Sequence, residues 1–113
     1  MKIAHENQAK KFKNGNACVA TEYPIGDKDI NIAYVEVSGR YPEKGRVTNE
    51  KCKEMAYIIE GKGKIVVEGK EIELIEKDVV LFEPGERYYW EGNMKMIVSC
   101  APAWYSEQHK EVE

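Results

Sequence analysis

Few side chains in this sequence could bind a metal or transfer a proton. Only two histidines are present, His5 and His109, and each lies close to a terminus. Because imidazole is a common protein ligand of iron, nickel and zinc, a histidine-rich metal site is hard to build here. The three cysteines, Cys18, Cys52 and Cys100, form no Cys-x-x-Cys pair. The sequence therefore predicts neither a structural zinc site nor a redox dithiol, and it favours a reduced, cytoplasmic setting.

Length and charge narrow the class of protein further. The 113 residues correspond to one small domain, and 17 basic against 20 acidic residues give a net charge of -3. Without a basic excess to meet phosphates, nucleic acid is not an expected partner. No apolar run approaches the roughly 18–20 residues that span a bilayer, so no membrane partner is expected. The polar N-terminus, which lacks an apolar core, does not resemble a secretory signal.

The elements that would position any site are predicted to be β-strands. Residues 1–16 read as a solvated polar arm and residues 17–113 as one all-β domain of about seven or eight short strands, which is typical of a sandwich or barrel. Between Cys18 and Pro102 no stretch has helical periodicity, which excludes a parallel βαβ architecture. The glycine-containing segments 61–64 and 91–93 are predicted as turns between strands.

Two segments resemble the motifs of the cupin family. Glu54 to Gly61 is similar to the second half of the first cupin motif, in which a glutamate precedes a glycine across an apolar strand. Lys77 to Gly85 is similar to the opening of the second motif, although Lys77 and Glu83 depart from the usual residues. The resemblance covers roughly Ile30 to Pro102 and implies a double-stranded β-helix, or jelly-roll, barrel of the cupin type with a pocket at one end.

The resemblance also implies where a metal would be bound. Cupins that hold a metal use a glutamate and two histidines from the first motif and a histidine from the second. Glu54 keeps the glutamate, and the second-motif histidine position falls on Tyr88. Two registers remain open for the first-motif histidines, namely Thr48 with Glu50 or Val47 with Asn49. All three histidines are absent in either register, so no cofactor is predicted; if a divalent metal binds, Glu50 and Glu54 would suit Mg²⁺ or Ca²⁺.

Glu54 and Tyr88 are the candidate catalytic residues. A buried carboxylate at the Glu54 position could orient a ligand or move a proton, whereas an exposed one would only pair with a neighbouring cation. The phenol of Tyr88 could donate a hydrogen bond or act as an acid, or simply fill the barrel. The alternatives for the aromatic and arginine candidates are ordinary packing and rim salt bridges. The predicted ligand-binding residues are Asn49, Glu50, Glu54, Tyr88, Tyr34, Tyr57, Trp90 and Arg40.

Three functions follow from this pattern. The first is a barrel that binds a small polar molecule, a sugar or an organic acid, without a transition metal. The alternative is a metal-free isomerase or epimerase that uses Glu54 and Tyr88 as acid and base, and a second alternative is a metal-dependent cupin enzyme with non-histidine ligands. A homodimer is expected in each case, because a small jelly roll leaves sheet edges that a partner subunit can cover.

Overall fold

A computed structural model describes residues 1–113 and shows an antiparallel all-β fold, as the sequence predicts. There are two short 3-10 turns: Glu6–Gln8 precedes the first strand, and Ser106–Gln108 precedes the last strand. The strands are β1 (Lys10–Lys13), β2 (Cys18–Glu22), β3 (Asn31–Tyr41), β4 (Arg46–Asn49), β5 (Lys53–Val67), β6 (Lys70–Ile75), β7 (Val79–Phe82), β8 (Arg87–Ala101) and β9 (His109–Val112). The structure contains no helix with the length and hydrophobicity that a membrane crossing requires.

The long strands β3, β5 and β8 form the frame of the barrel. β8 pairs with β3 on one side and with β5 on the other over nearly its whole length. β5 also pairs with β7 through its first half and with β6 through its second half, and β4 joins the start of β8. One curled sheet thereby serves both walls of a jelly roll, because each long strand passes from one wall to the other.

Strand alternation fills the space between the walls with apolar side chains. Fully or almost fully buried residues include Val47, Ile58, Ile65, Phe82 and Met96. Their neighbours on the same strands point outward, since successive side chains of a strand lie on opposite faces. The core therefore lies between the two walls of the barrel.

The two glycine segments lie inside strands, which corrects the prediction of turns there. Gly63 in β5 pairs directly with Gly92 in β8, and Gly39 in β3 pairs with Gly92 from the other side. A Cβ built on Gly92 would approach the Gly63 Cα to 2.5 Å. Glycine is needed here because β5 and β8 pass too close for side chains, so the residues mark a bend rather than a chain reversal.

The polar arm is more ordered than the sequence suggests. Lys10–Lys13 pairs with β2 as an edge strand, and all four of its residues are exposed. The lysines of this strand also suit an unpaired edge, because charged side chains discourage the pairing of another chain.

Candidate functional site

A cavity of about 130 Å³ lies inside the barrel. Its walls come from the inward faces of β2, β3, β5 and β8, and Trp104 and His109 of the C-terminal segment complete the lining. The lining is mainly apolar and aromatic, and three of its polar side chains, Glu54, Tyr88 and His109, named here the polar wall, are linked through Asn49. The residues used in the argument below are Tyr41, Glu54, Tyr88, Trp90, Trp104 and His109. A concave apolar site with a few convergent polar groups is the usual form of a small-molecule site.

Glu54 supplies the buried carboxylate of the cavity. Its position in β5, opposite Cys100 of β8 and Phe82 of β7, turns the side chain inward and leaves it 8% exposed. Burial raises the pKa of Glu54, although the hydrogen bonds that it accepts partly oppose the shift. The Cys100 thiol donates to Oε1 over 3.5 Å and the Tyr88 hydroxyl donates to Oε2 over 3.2 Å. A carboxylate can accept about four hydrogen bonds, so Glu54 retains acceptor capacity for a ligand.

Tyr88 is fixed by stacking as well as by its hydrogen bond. Its ring lies 4.3 Å from that of Phe82 at an interplanar angle of 18°, and Trp90 meets Phe82 edge-on at 5.5 Å. Burial, followed by the nearby Glu54 carboxylate, raises the pKa of Tyr88 well above its ordinary value. The phenol therefore remains protonated and acts as a hydrogen-bond donor in the cavity wall.

Asn49 lies behind the polar wall and forms hydrogen bonds with its members. It ends β4, is 2% exposed, and donates through Nδ2 to Glu54 Oε1 (3.4 Å) and to the Tyr88 hydroxyl (3.2 Å). Its Oδ1 receives hydrogen bonds from Gln108 Nε2 (2.9 Å) and Trp104 Nε1 (3.2 Å). One amide thereby fixes side chains of the C-terminal segment relative to the carboxylate.

His109 enters the site through strand pairing. β9 runs antiparallel to β4, which places His109 opposite Asn49, and Nδ1 lies 2.9 Å from Asn49 Oδ1. Because an amide oxygen only accepts, Nδ1 must carry the hydrogen of the neutral ring, and Nε2 is then an acceptor. The Tyr41 hydroxyl lies 3.3 Å from Nε2 and donates to it. Burial lowers the pKa of His109 and raises that of Tyr41, which favours the neutral form of both groups.

The sequence did not predict the parts played by His109 and Tyr41. His109 is 60 residues from Asn49, so only the pairing of β9 with β4 brings them together. The buried Gln108 contributes to this pairing, because its Oε1 accepts the backbone N–H groups of Lys51 and Cys52, each at 3.2 Å. A four-residue strand after a loop carries no local signal that would reveal such a partner.

Several predicted site residues do not line this cavity. Tyr34 and Tyr57 pair with Ile97 from its two sides on the outer face of the sheet. Glu50 is exposed just beyond the end of β4. Arg40 stacks 3.8 Å above the Tyr89 ring and donates to backbone carbonyls of its own loop. Glu54, Tyr88 and Trp90 line the cavity, and Asn49 lies directly behind them.

Of the residues in the two registers of the first motif, Asn49 is the one that contacts Glu54. The chain turns outward at Glu50, while Val47, Thr48 and Asn49 are all buried. Of these, only Asn49 hydrogen-bonds Glu54, and the Thr48 hydroxyl is buried without a hydrogen-bond partner. Asn49 is therefore the first-motif residue that accompanies Glu54.

The polar wall does not fit a metal ion. No group of three or more histidine, cysteine, aspartate or glutamate side chains is close enough to hold one. Glu54 is the one carboxylate of the wall, and an amide N–H, a phenol and a thiol donate to it. Such donors stabilise the carboxylate by hydrogen bonds where a cation would need further oxygen or nitrogen ligands. The Glu50–Glu54 pair that the sequence offered for Mg²⁺ or Ca²⁺ is split between the surface and the cavity.

Fold and site together define a cupin-type barrel. Residues 37–98, more than half of the chain, match the EutQ-like cupin domain family, and the chain belongs to this family. No curated protein sequence matches it significantly.

Solved structures with the same fold include proteins of several functions. The nucleoside dehydratase Pac13, whose Streptomyces form was crystallised with uridine, superposes with a TM-score of 0.90 at 18% identity over 100% of this chain and 92% of its own. Ectoine synthase from P. lautus has a TM-score of 0.75 at 15% identity, covering 100% of this chain and 91% of its own. An RmlC-like cupin from Shewanella frigidimarina has a TM-score of 0.73 at 15% identity, covering 89% and 90%. These similarities establish the fold.

Proposed function

We propose that the barrel binds a small neutral molecule that carries a ring and hydroxyl groups, and that it does so without a metal ion. The observation that carries this proposal is the buried Glu54 carboxylate in the wall of a mainly aromatic and apolar cavity. A ligand ring would pack against the apolar side, and a ligand hydroxyl would donate to Glu54. Hydrogen bonds to a charged, buried acceptor are among the stronger ones in proteins.

The charge of the lining narrows the ligand class that the sequence suggested. The acidic residues of the lining are Glu22 and Glu54, and the remaining side chains are neutral or apolar apart from the titratable His109. Because burial favours the neutral form of His109, the cavity lining has no positive charge that could pair with an anionic ligand. A sugar or nucleoside therefore suits the cavity better than an organic acid.

The size of the cavity supports a ligand with one buried ring. A dry cavity of about 150 Å³ in a protein core is large enough to take a benzene molecule. The 130 Å³ space in this barrel is similar, and Trp104 and His109 border it near the C-terminal segment. The rest of a larger ligand would extend past these side chains.

Calorimetric titration of the full chain with uridine and with glucose tests the proposal. Uridine is chosen because the Streptomyces protein with the same fold was crystallised with it. We expect saturable binding of at least one of the two, weakened about 10- to 100-fold in Glu54→Gln, since a hydrogen bond to a charged group is lost.

The control for this titration is Glu73→Gln, which removes an exposed carboxylate on β6 and should bind as the wild type does. Heats at millimolar ligand that are indistinguishable from dilution would remove the proposal. So would equal affinities of the wild type and Glu54→Gln.

A second candidate, metal-free acid–base catalysis in the same cavity, rests on a specific observation. Burial raises the pKa of Glu54 and lowers that of His109, so the two pKa values shift toward each other. Both side chains line the cavity, where each could exchange a proton with the same ligand. Tyr88, predicted as the acid, would instead position Glu54 through its hydrogen bond. When the wild type is incubated with a bound ligand in D₂O, deuterium should replace a carbon-bound hydrogen of the ligand, and that C–H signal should disappear from the NMR spectrum. If no exchange occurs over days, catalysis is contradicted and the binding proposal is unaffected.

A further inference from the structure

Glu22 is the second carboxylate in the cavity lining, and the proposed function leaves it unused. It is the last residue of β2, and it shares the inward face of that strand with Cys18 and Ala20. Its partner on β3 is Ala33, a small residue that also lines the cavity. The longer side chain of Glu22 can therefore extend past Ala33 toward the centre of the space.

The charge of Glu22 has no partner within the chain. Lys10 lies directly opposite on β1, yet the two side chains form no ion pair. Burial raises the pKa of Glu22, and neither a hydrogen bond nor a nearby cation opposes that rise. A partly buried carboxylate without a partner is unfavourable, and a cation beside it would relieve the cost.

Glu22 and Glu54 face the same space from different strands. β3 and β8 lie between β2 and β5, so three strand spacings of roughly 4.8 Å separate the two backbones along the curled sheet. The Cys100 thiol, which donates to Glu54, senses both groups: burial raises its pKa most, and the charges of Glu54 and then of Glu22 raise it further. A ligand ring held at Glu54 can therefore reach Glu22 with a substituent on its far side.

Trp104 brings an aromatic ring to the same part of the cavity. Its backbone N–H donates to Asn31 Oδ1 over 3.2 Å, and Asn31 lies two residues along β3 from Ala33 on the same inward face. Its indole Nε1 is anchored to Asn49. Because the face of an indole attracts an ammonium group, Trp104 and Glu22 together favour an amine over a hydroxyl.

We propose that Glu22 forms a cation subsite, which receives a protonated amino group of the ligand whose hydroxyl is held by Glu54. This subsite rests on the proposed function, because the same ring occupies the cavity. Neutral sugars and nucleosides bind through Glu54 alone, whereas their amino derivatives also form an ion pair with Glu22. A metal ion would need further ligands beside Glu22, and no group of three or more such side chains is present.

Calorimetric titration of the full chain with two matched pairs of ligands tests the subsite. The pairs are glucosamine with glucose and 5′-amino-5′-deoxyuridine with uridine, in which an amine replaces one hydroxyl. At pH 7 we expect at least one amino derivative to bind about tenfold more tightly than its neutral parent. In Glu22→Gln this preference should fall below about threefold, while the neutral parents keep their wild-type affinity.

The matched control is Glu36→Gln, which removes a carboxylate from the neighbouring strand β3. Val35 and Val37 on either side of Glu36 pack toward the core, so Glu36 lies on the outer face of the sheet. This variant should keep the full preference for the amine. Circular dichroism spectra of both variants should match that of the wild type.

The results separate failure of the subsite from failure of the proposed function. If the neutral parents bind and the amino derivatives bind no more tightly, the Glu22 subsite is wrong and the proposed function stands. A preference that persists in Glu22→Gln, or one that is lost equally in Glu36→Gln, would also overturn the subsite. If none of the four ligands binds, both the proposed function and the subsite are wrong.

Discussion

Asn49 shows how much of the site rests on one small side chain. Its amide nitrogen donates to Glu54 and Tyr88 on one side, and its oxygen accepts from Trp104, Gln108 and His109 on the other. A single amide therefore links the carboxylate that would contact a ligand to the imidazole of His109.

The raised pKa of Glu54 makes stability depend on pH in a defined direction. Folding raises the pKa of Glu54 above its value in the unfolded chain, so its contribution to stability is full below the ordinary pKa of 4.5 and is lost as pH rises through the higher folded pKa. Glu54→Gln should remove this loss, and its stability relative to the wild type should therefore improve as pH rises from 4.5. Urea unfolding of both proteins across this range measures the difference; parallel pH profiles would contradict the assignment.

The contribution of His109 to stability should depend on pH in the opposite direction. Its folded pKa lies below the ordinary 6.5, so its contribution is present above pH 6.5 and is lost as pH falls through the lower folded value. Nitrogen-15 NMR of the ring should show hydrogen on Nδ1 at neutral pH and protonation of Nε2 only below pH 6.5. Comparison with His109→Gln assigns the signals. Hydrogen on Nε2 at neutral pH would contradict the bond to Asn49.

The sequence could predict only the part of the site that is local in the chain. Glu54 and Tyr88 can be picked out because each lies at a fixed offset within a motif. Strand alternation places Tyr88 and Trp90 on the buried face and Tyr89 on the opposite face. Alternation also places Tyr57 away from Glu54, although its aromatic ring suggested a ligand contact. Tyr41 and His109 depend on contacts between distant segments, which no local pattern encodes.

At the scale of elements, the crossing of β5 and β8 determines the shape of the barrel. Gly63 and Gly92 face each other where the two strands approach most closely. Read along the chain, glycines flanked by lysine or glutamate look like turns, because turns and close strand contacts require the same residue. Only the pairing partner distinguishes them, and that partner lies far away in sequence.

Gly92→Ala should therefore destabilise the folded protein. Its φ is +140°, and the added methyl would meet the Gly63 Cα at 2.5 Å and the Lys62 carbonyl oxygen at 2.7 Å. We expect a loss of about 3 kcal/mol in the free energy of unfolding, measured with urea. Gly69→Ala separates the two causes, because Gly69 also has positive φ (+80°) but has open space around it. That control should lose about 1 kcal/mol, and equal losses would show that backbone conformation alone decides the cost.

At the scale of the whole molecule, one sheet presents two different surfaces. Its inner side forms a cavity with Glu54, and its outer side exposes apolar side chains that include Met55, Tyr57 and Leu81. The all-β class and the jelly-roll barrel were predictable because turn signals and motifs recur along most of the chain. The apolar outer face was not recognised, because each of its residues alone reads as ordinary packing.

Charge across the molecule should also discriminate between ligands. The chain carries a net charge of -3, and the cavity is lined by the carboxylates of Glu22 and Glu54. Glucuronate should therefore bind at least about tenfold more weakly than glucose, a difference of about 1.4 kcal/mol. Competition calorimetry at low and high salt measures this preference, which should shrink as salt screens the charges. Tighter binding of glucuronate would contradict the proposed ligand class.

The central claim is that Glu54 receives a hydroxyl group of a neutral ligand inside the barrel. A crystal structure of the full chain soaked with uridine at saturating concentration tests it directly. We expect the base or the ribose to lie beside Trp90, with a ligand hydroxyl within about 3.2 Å of a Glu54 oxygen. Uridine bound outside the barrel, or bound within it with no hydroxyl in reach of Glu54, would contradict the claim.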